Sequence, residues 1–129
     1  MGIKILFLMF LLHIIDDFVL QPICLSKLKQ KDWWECNIGT KEYGMPLMYK
    51  NDYKMALFIH ALSWSIMVNL PWFLFVSGLT IGLSILLNCI IHYIVDDLTA
   101  NKKKINLIED QLIHLIQISL TWIILGDLI

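Results

Sequence analysis

The chain has 129 residues, 58% of them hydrophobic and only 16% charged, with a formal net charge of −1. Soluble domains average about 45–50% apolar and about 25% charged residues, so this composition excludes an ordinary soluble enzyme and points to a membrane protein in contact with the lipid bilayer. A balanced charge without a basic patch excludes a nucleic-acid surface.

The apolar residues gather in three tracts, Ile3–Leu20, Met55–Val95 and Leu112–Leu125. The middle tract is long enough for two crossings at about 20 residues each. The expected fold is all-α, a single-domain four-helix transmembrane bundle with spans over about 3–21, 54–75, 79–98 and 107–127. A long interfacial loop, 22–53, and a short one, 99–106, join spans at one end. Cys24, Cys36 and Cys89 lack metal-type or paired spacing and read as apolar filling, with a Cys24–Cys36 disulfide as the lesser alternative.

The first span opens like a secretory signal, with Lys4 ahead of an apolar run. His13, Asp16, Asp17 and Gln21 occupy the place of a small-residue cleavage site, so the segment reads as a retained span ended by Pro22. His13, Asp17 and Gln21 follow at i, i+4 and i+8 on one helical face, with Asp16 about 100° to the side. A charge in hydrocarbon costs from roughly 2.5 to more than 10 kcal/mol, so such groups are functional candidates. The alternative, polar side chains that only pair helices, ordinarily uses Ser, Thr or Asn rather than Asp.

The long loop holds Trp33, Trp34, Tyr43, Tyr49 and Tyr53 with several lysines, and Gly39, Gly44 and Pro46. Amphipathic aromatics and lysines favour the headgroup level, so the loop is expected to anchor at the interface rather than to close over a substrate. The second span carries His60, with Ser63 on the same face and Trp64 one turn on. Its end falls between Asn69 and Gly78, where Pro71 either stops or kinks the helix. The third span repeats the polar stripe as Asn88, His92 and Asp96, with Asp97 beside it, and the fourth places Asp110 and His114 one turn apart with Gln117 beyond.

All ten basic residues are lysines; eight lie in the two loops after spans one and three, and Lys54 stands at the first residue of span two on the same side. That bias predicts cytoplasmic loops and both termini outside. Counted at about 1.5 Å per residue, the four histidines, one per helix, then fall at one depth in the cytoplasmic half. Helix bundles build metal sites from inward-facing carboxylates and histidines at this spacing. The expected ligands are His13, Asp17, His60, His92, Asp96, Asp110 and His114, a set that suits zinc, manganese or iron. Asp16 and Asp97, beside their stripes, are candidate general bases for a metal-dependent hydrolysis or, like Gln21 and Asn88, orient the ligands.

Two other classes stay open. A divalent-cation or proton transporter would use the same layer, but needs polar groups continuing through Ile5–Leu11, Trp72–Leu86 and Leu120–Leu125, which read as almost wholly apolar. A non-catalytic interaction protein, with a second copy of the chain as one partner, would use the layer only to fix helix pairing.

His13-x3-Asp17-Phe18-x2-Gln21, His60, His92-x3-Asp96 and Asp110-Gln111-x2-His114, in that order, resemble the domain-of-unknown-function 3307 family, small bacterial and phage membrane proteins. The resemblance covers nearly the whole chain except the long loop. It implies membrane location and no established activity, and it matches Asp17 over Asp16 and Asp96 over Asp97. Thr99 stands where that pattern carries a lysine. It further implies a bacterial cytoplasmic membrane, or a host membrane for a phage protein.

Overall fold

A computed structural model describes residues 2–21, 23–39 and 49–128. Pro22, Tyr43, Gly44 and Pro46, to which the sequence assigned turn or anchoring roles, lie outside the described residues. Six α-helices follow in order: α1 (Gly2–Ile14), α2 (Ile23–Leu28), α3 (Lys31–Asn37), α4 (Asp52–Asn69), α5 (Gly78–Ala100) and α6 (Leu107–Gly126). Among the described residues there is no strand.

Three segments, Asp52–Trp72, Gly78–Ala100 and Leu107–Gly126, are long and apolar enough to cross a membrane. Outward-facing Leu83, Leu86, Leu87, Ile90, Ile116 and Ile124 are exposed. An apolar surface of that extent marks an interaction face and is consistent with membrane insertion. α1 continues without a break into a π-helical turn, Ile15–Leu20, giving a 19-residue helical stretch whose Phe7, Leu11, Phe18 and Val19 are likewise exposed.

The helix ends have local causes. Asn106 caps α6 by accepting from the backbone of Ile108 and Glu109, and Glu109 reaches back to the Asn106 N–H, a reciprocal capping box. That cap sets the register that turns Asp110 and His114 inward. Ser77 caps α5 through Thr80. α4 stops at Asn69, and Pro71 lies in the 3₁₀ turn Leu70–Trp72 that follows, so the proline ends this helix rather than kinking it.

α1 packs against α4 and α6, α4 along α5, and α5 against α6. At the end away from the lysines the core is apolar: Ile5, Met9, Trp64, Val68, Trp72, Ile81, Ile118 and Leu125 form one buried cluster. The described residues of the long loop include α2 and α3, and α2 packs on α4. Trp34 stacks on Tyr49 at 6.0 Å. Cys24 and Cys36 are free and exposed, so the disulfide alternative is set aside, while Cys89 is buried.

Candidate metal centre

The π turn shapes the first contribution to the site. Its closing bond runs from the Gln21 N–H to the Asp16 carbonyl, five residues back. A turn that holds an extra residue brings successive side chains to the same side. Asp16 is therefore buried at 2% exposure beside Asp17, and not displaced from the stripe as α-helical spacing predicts. π bulges concentrate at functional sites for this reason, because they re-aim side chains.

The four histidines meet. Ring centroids are 5.1 Å apart for His60 and His92, 4.1 Å for His92 and His114, and 6.0 Å for His114 and His13. Trp64 is the floor under them. Fully buried, it stacks on His92 at 4.2 Å and donates its indole N–H to His13 Nδ1 at 2.8 Å. Only its position one turn after His60 hinted at this in the sequence.

Among the described residues two triads could hold a metal ion, Asp17 with His60 and His92, and His92 with Asp96 and His114; within each, the ligand atoms lie within 4.8 Å of one another. His60 Nε2 is 3.2 Å from His92 Nε2, 3.4 Å from Asp17 Oδ1 and 3.4 Å from Asp96 Oδ2. Asp96 Oδ1 is 3.5 Å from His92 Nε2 and 3.3 Å from His114 Nε2, which is 3.5 Å from Asp110 Oδ2. Most of these exceed ordinary hydrogen-bond lengths. A tetrahedral ion with bonds of about 2.0–2.1 Å spaces its ligand atoms about 3.3–3.4 Å apart, which the neighbouring pairs within each triad approach.

Unsatisfied groups point the same way. Asp17 Oδ1 is buried without a hydrogen-bond partner, as are Nδ1 of His92 and His114 and Oε1 of Gln117. Four carboxylates, Asp16, Asp17, Asp96 and Asp110, gather in this layer, and among the described residues one ammonium, Lys29, forms an ion pair with them. With neutral histidines and all four acids ionised that leaves an excess of three negative charges, and each proton taken up in the layer lowers it by one. Unpaired buried charge costs several kcal/mol per ion, so a cation fits the site.

The remaining sequence candidates sit around these ligands. Asp16 accepts from Ser63 Oγ at 2.8 Å and lies 3.9 Å from His60 Nδ1, where it can orient the ring from behind. His13 belongs to neither triad: its Nδ1 takes the Trp64 proton and lies 3.5 Å from Asp17 Oδ2. Asp110 Oδ1 accepts from Thr99, and its Oδ2 accepts from Gln111 at 3.1 Å. Asp97 is turned away. It accepts from Asn101 and pairs with Lys102 at 2.8 Å, because one residue of helix rotates it about 100° from Asp96. The base role expected of Asp97 therefore has no access to the layer. Outside the bundle, Asp97 holds the Lys102 ammonium above the ordinary lysine range through their hydrogen bond.

Two features were not legible. Lys29, which follows α2, pairs with Asp96 Oδ2 at 2.7 Å, and the Gln21 amide, oriented to satisfy both its ends, accepts from the same Nζ at 2.9 Å. Ser26, Lys29 and Gln30 also line a cavity of about 420 Å³ that opens from the centre at the lysine-bearing end. This part of the loop thus covers the site, where interfacial anchoring alone was expected. No run of residues in the loop announces the contact, which is 67 residues long in sequence.

A second polar layer lies one to two turns deeper. Asn88 Oδ1 accepts from Gln117 at 2.8 Å and Thr121 at 3.1 Å; Ser84 donates to Asn69 Oδ1 at 2.6 Å, and Asn69 donates to the Ser65 carbonyl at 2.8 Å. The deeper half is therefore not wholly apolar, contrary to expectation, because scattered single polar residues converge only when the helices pack. Compared with family models, curated proteins and solved structures, the chain matches none.

Proposed function

We propose that the chain is a four-span membrane protein that holds a divalent metal ion, zinc, manganese or iron, near its lysine-rich end, and that the ion serves hydrolysis of a lipid-like or membrane-associated substrate. The observation that carries this reading is the spacing of Asp17 Oδ1, His60 Nε2, His92 Nε2 and Asp96, 3.2–3.5 Å between neighbours, around a carboxylate oxygen without a partner. Asp17, His60 and His92 would hold the ion, with His92, Asp96 and His114 as the alternative triad. Asp16 and Ser63 would keep His60 in its ring orientation, and Asp110 and His114, sharing Asp96, offer a second position.

When bound, such an ion lowers the pKa of its water to about 7 and supplies hydroxide near neutral pH. Asp110 lines the cavity and is the carboxylate placed to take a proton there. The fourth span is the α1 and π-turn stretch, about 28 Å long at helical rise, close to the thickness of the hydrocarbon core. The lysine-rich loops face the cytoplasm in this reading, and membership of the domain-of-unknown-function 3307 family and a bacterial or phage origin belong to it.

A cation transporter is the second reading, supported by the deeper polar layer of Asn88, Gln117, Thr121, Ser84 and Asn69. Elemental analysis of the full chain purified in detergent tests the shared premise. About one divalent ion per chain is expected, falling to near zero in His92→Ala and Asp17→Ala variants that retain their helicity. Absence of stoichiometric metal from the wild-type chain would sink both readings. Manganese flux into proteoliposomes without phosphoester turnover would favour the transporter.

A further inference from the structure

We propose that the cavity beside the centre binds the phosphate head of an amphiphile, with Lys29 and Lys103 as its anion-binding residues; this rests on the metal reading above. The argument is one of charge. Asp17, Asp96 and Asp110 line the cavity against Lys29 and Lys103. With neutral histidines, three carboxylates and two ammonium groups leave the lining at minus one, which repels an anion. One divalent ion brings it to plus one.

The same ion changes what Lys29 can do. Lys29 Nζ sits 2.7 Å from Asp96 Oδ2, the oxygen that is also 3.4 Å from His60 Nε2. An ion held by Asp96 draws on the same carboxylate and weakens its hold on the ammonium. The other partner of Lys29, the Gln21 amide at 2.9 Å, is neutral and leaves that charge uncompensated. It stays beside the ion, tied through its own backbone, because Asn101 Nδ2 donates to the Lys29 carbonyl at 3.2 Å and Asn101 Oδ1 accepts from the Lys31 N–H at 2.7 Å. Lys103 reaches the cavity from a left-handed backbone position, φ 52°. A compact ammonium is a natural point charge for phosphate.

The rim identifies the rest of the molecule. Phe18 and Leu107 line the cavity yet are 62% and 63% exposed. An apolar tail lying over them stays on the lipid-facing side while the head meets the lysines. Phosphate on a lipid or a single-chain amphiphile satisfies both halves, whereas free phosphate uses only the inner one.

The test uses the full chain in a maltoside detergent, loaded with Mn²⁺ and titrated calorimetrically with dihexanoyl phosphatidate, inorganic phosphate and dihexanoyl phosphatidylcholine. Phosphatidate is expected to bind at least tenfold more tightly than either of the others, and not at all after chelation of the metal. Lys29→Met weakens it by about tenfold or more and Lys103→Met by about threefold, while Lys29→Arg keeps most of the affinity, as charge-assisted contacts require. Equal affinity for inorganic phosphate would overturn the amphiphile. Metal-loaded protein that binds none of the probes, or unchanged affinity in both methionine variants, overturns the proposal and leaves the metal centre standing. A wild-type chain that retains no metal overturns both. Should Lys29→Met fail to fold, Lys103→Met on its exposed loop still decides.

Discussion

The bundle buries two polar layers within two helical turns of each other, and they differ in kind. The deeper one, Ser65, Asn69, Ser84, Asn88, Gln117 and Thr121, is uncharged, and the bonds described for it run from 2.6 to 3.1 Å, ordinary hydrogen-bond lengths. The histidine layer is charged, the ligand atoms of its triads lie 3.2–3.5 Å from their neighbours, and it leaves the Asp17 Oδ1 lone pairs without a donor. Each layer leaves atoms without a partner, one in the deeper (Gln117 Oε1) and three in the histidine layer (Asp17 Oδ1 and Nδ1 of His92 and His114), so satisfaction alone does not separate them. Charge and the spacing of the ligand atoms do.

Variants can break that comparison. The largest effect is expected from Asp96→Asn, because Asp96 faces His60, His92 and His114 at once. Metal content measured by elemental analysis should fall to background, at least a hundredfold in affinity, while Asp97→Asn, one residue on and turned outward, leaves it unchanged. Equal loss in both would show that the layer responds to charge in general and not to ligand geometry.

Asp16→Asn comes next. It leaves the ligand atoms in place but weakens the group behind His60 Nδ1, and changes of this type cost about 10–100-fold in metal affinity. A competition assay against a calibrated chelator reads the difference, and no change would reduce Asp16 to a helix-pairing partner of Ser63.

The smallest effect on metal is expected from Asn88→Leu. Removing the acceptor for Gln117 and Thr121 should cost about 1–3 kcal/mol in stability, read by denaturation in mixed micelles, with metal content retained. Loss of metal in this variant would mean that the two layers act as one network, and would move the balance toward a path through the membrane.

Much of the site was legible in the sequence because helical periodicity is a local property. His92 and Asp96, or Asp110 and His114, share a face by spacing alone, and a charged residue within an apolar tract stands out against its neighbours. Single polar residues such as Ser84 and Thr121 carry no such signal, since each is unremarkable in its own helix. Asp16 was misplaced by the same periodicity, which assumes an α turn where the backbone makes a π turn.

The sequence by itself determined the apolar, all-helical character and which residues were out of place in it; of the four spans expected from it, three correspond to segments long and apolar enough to cross a membrane. Tertiary structure decided the rest: that Trp64 floors the histidines, that Lys29 crosses from the loop to Asp96, that Asp97 faces away, and that Asn88, Gln117 and Ser84 form a second layer. These depend on which helices become neighbours and at what rotation. That is set by the summed packing of side chains distant in the chain, a quantity that no local window of residues contains.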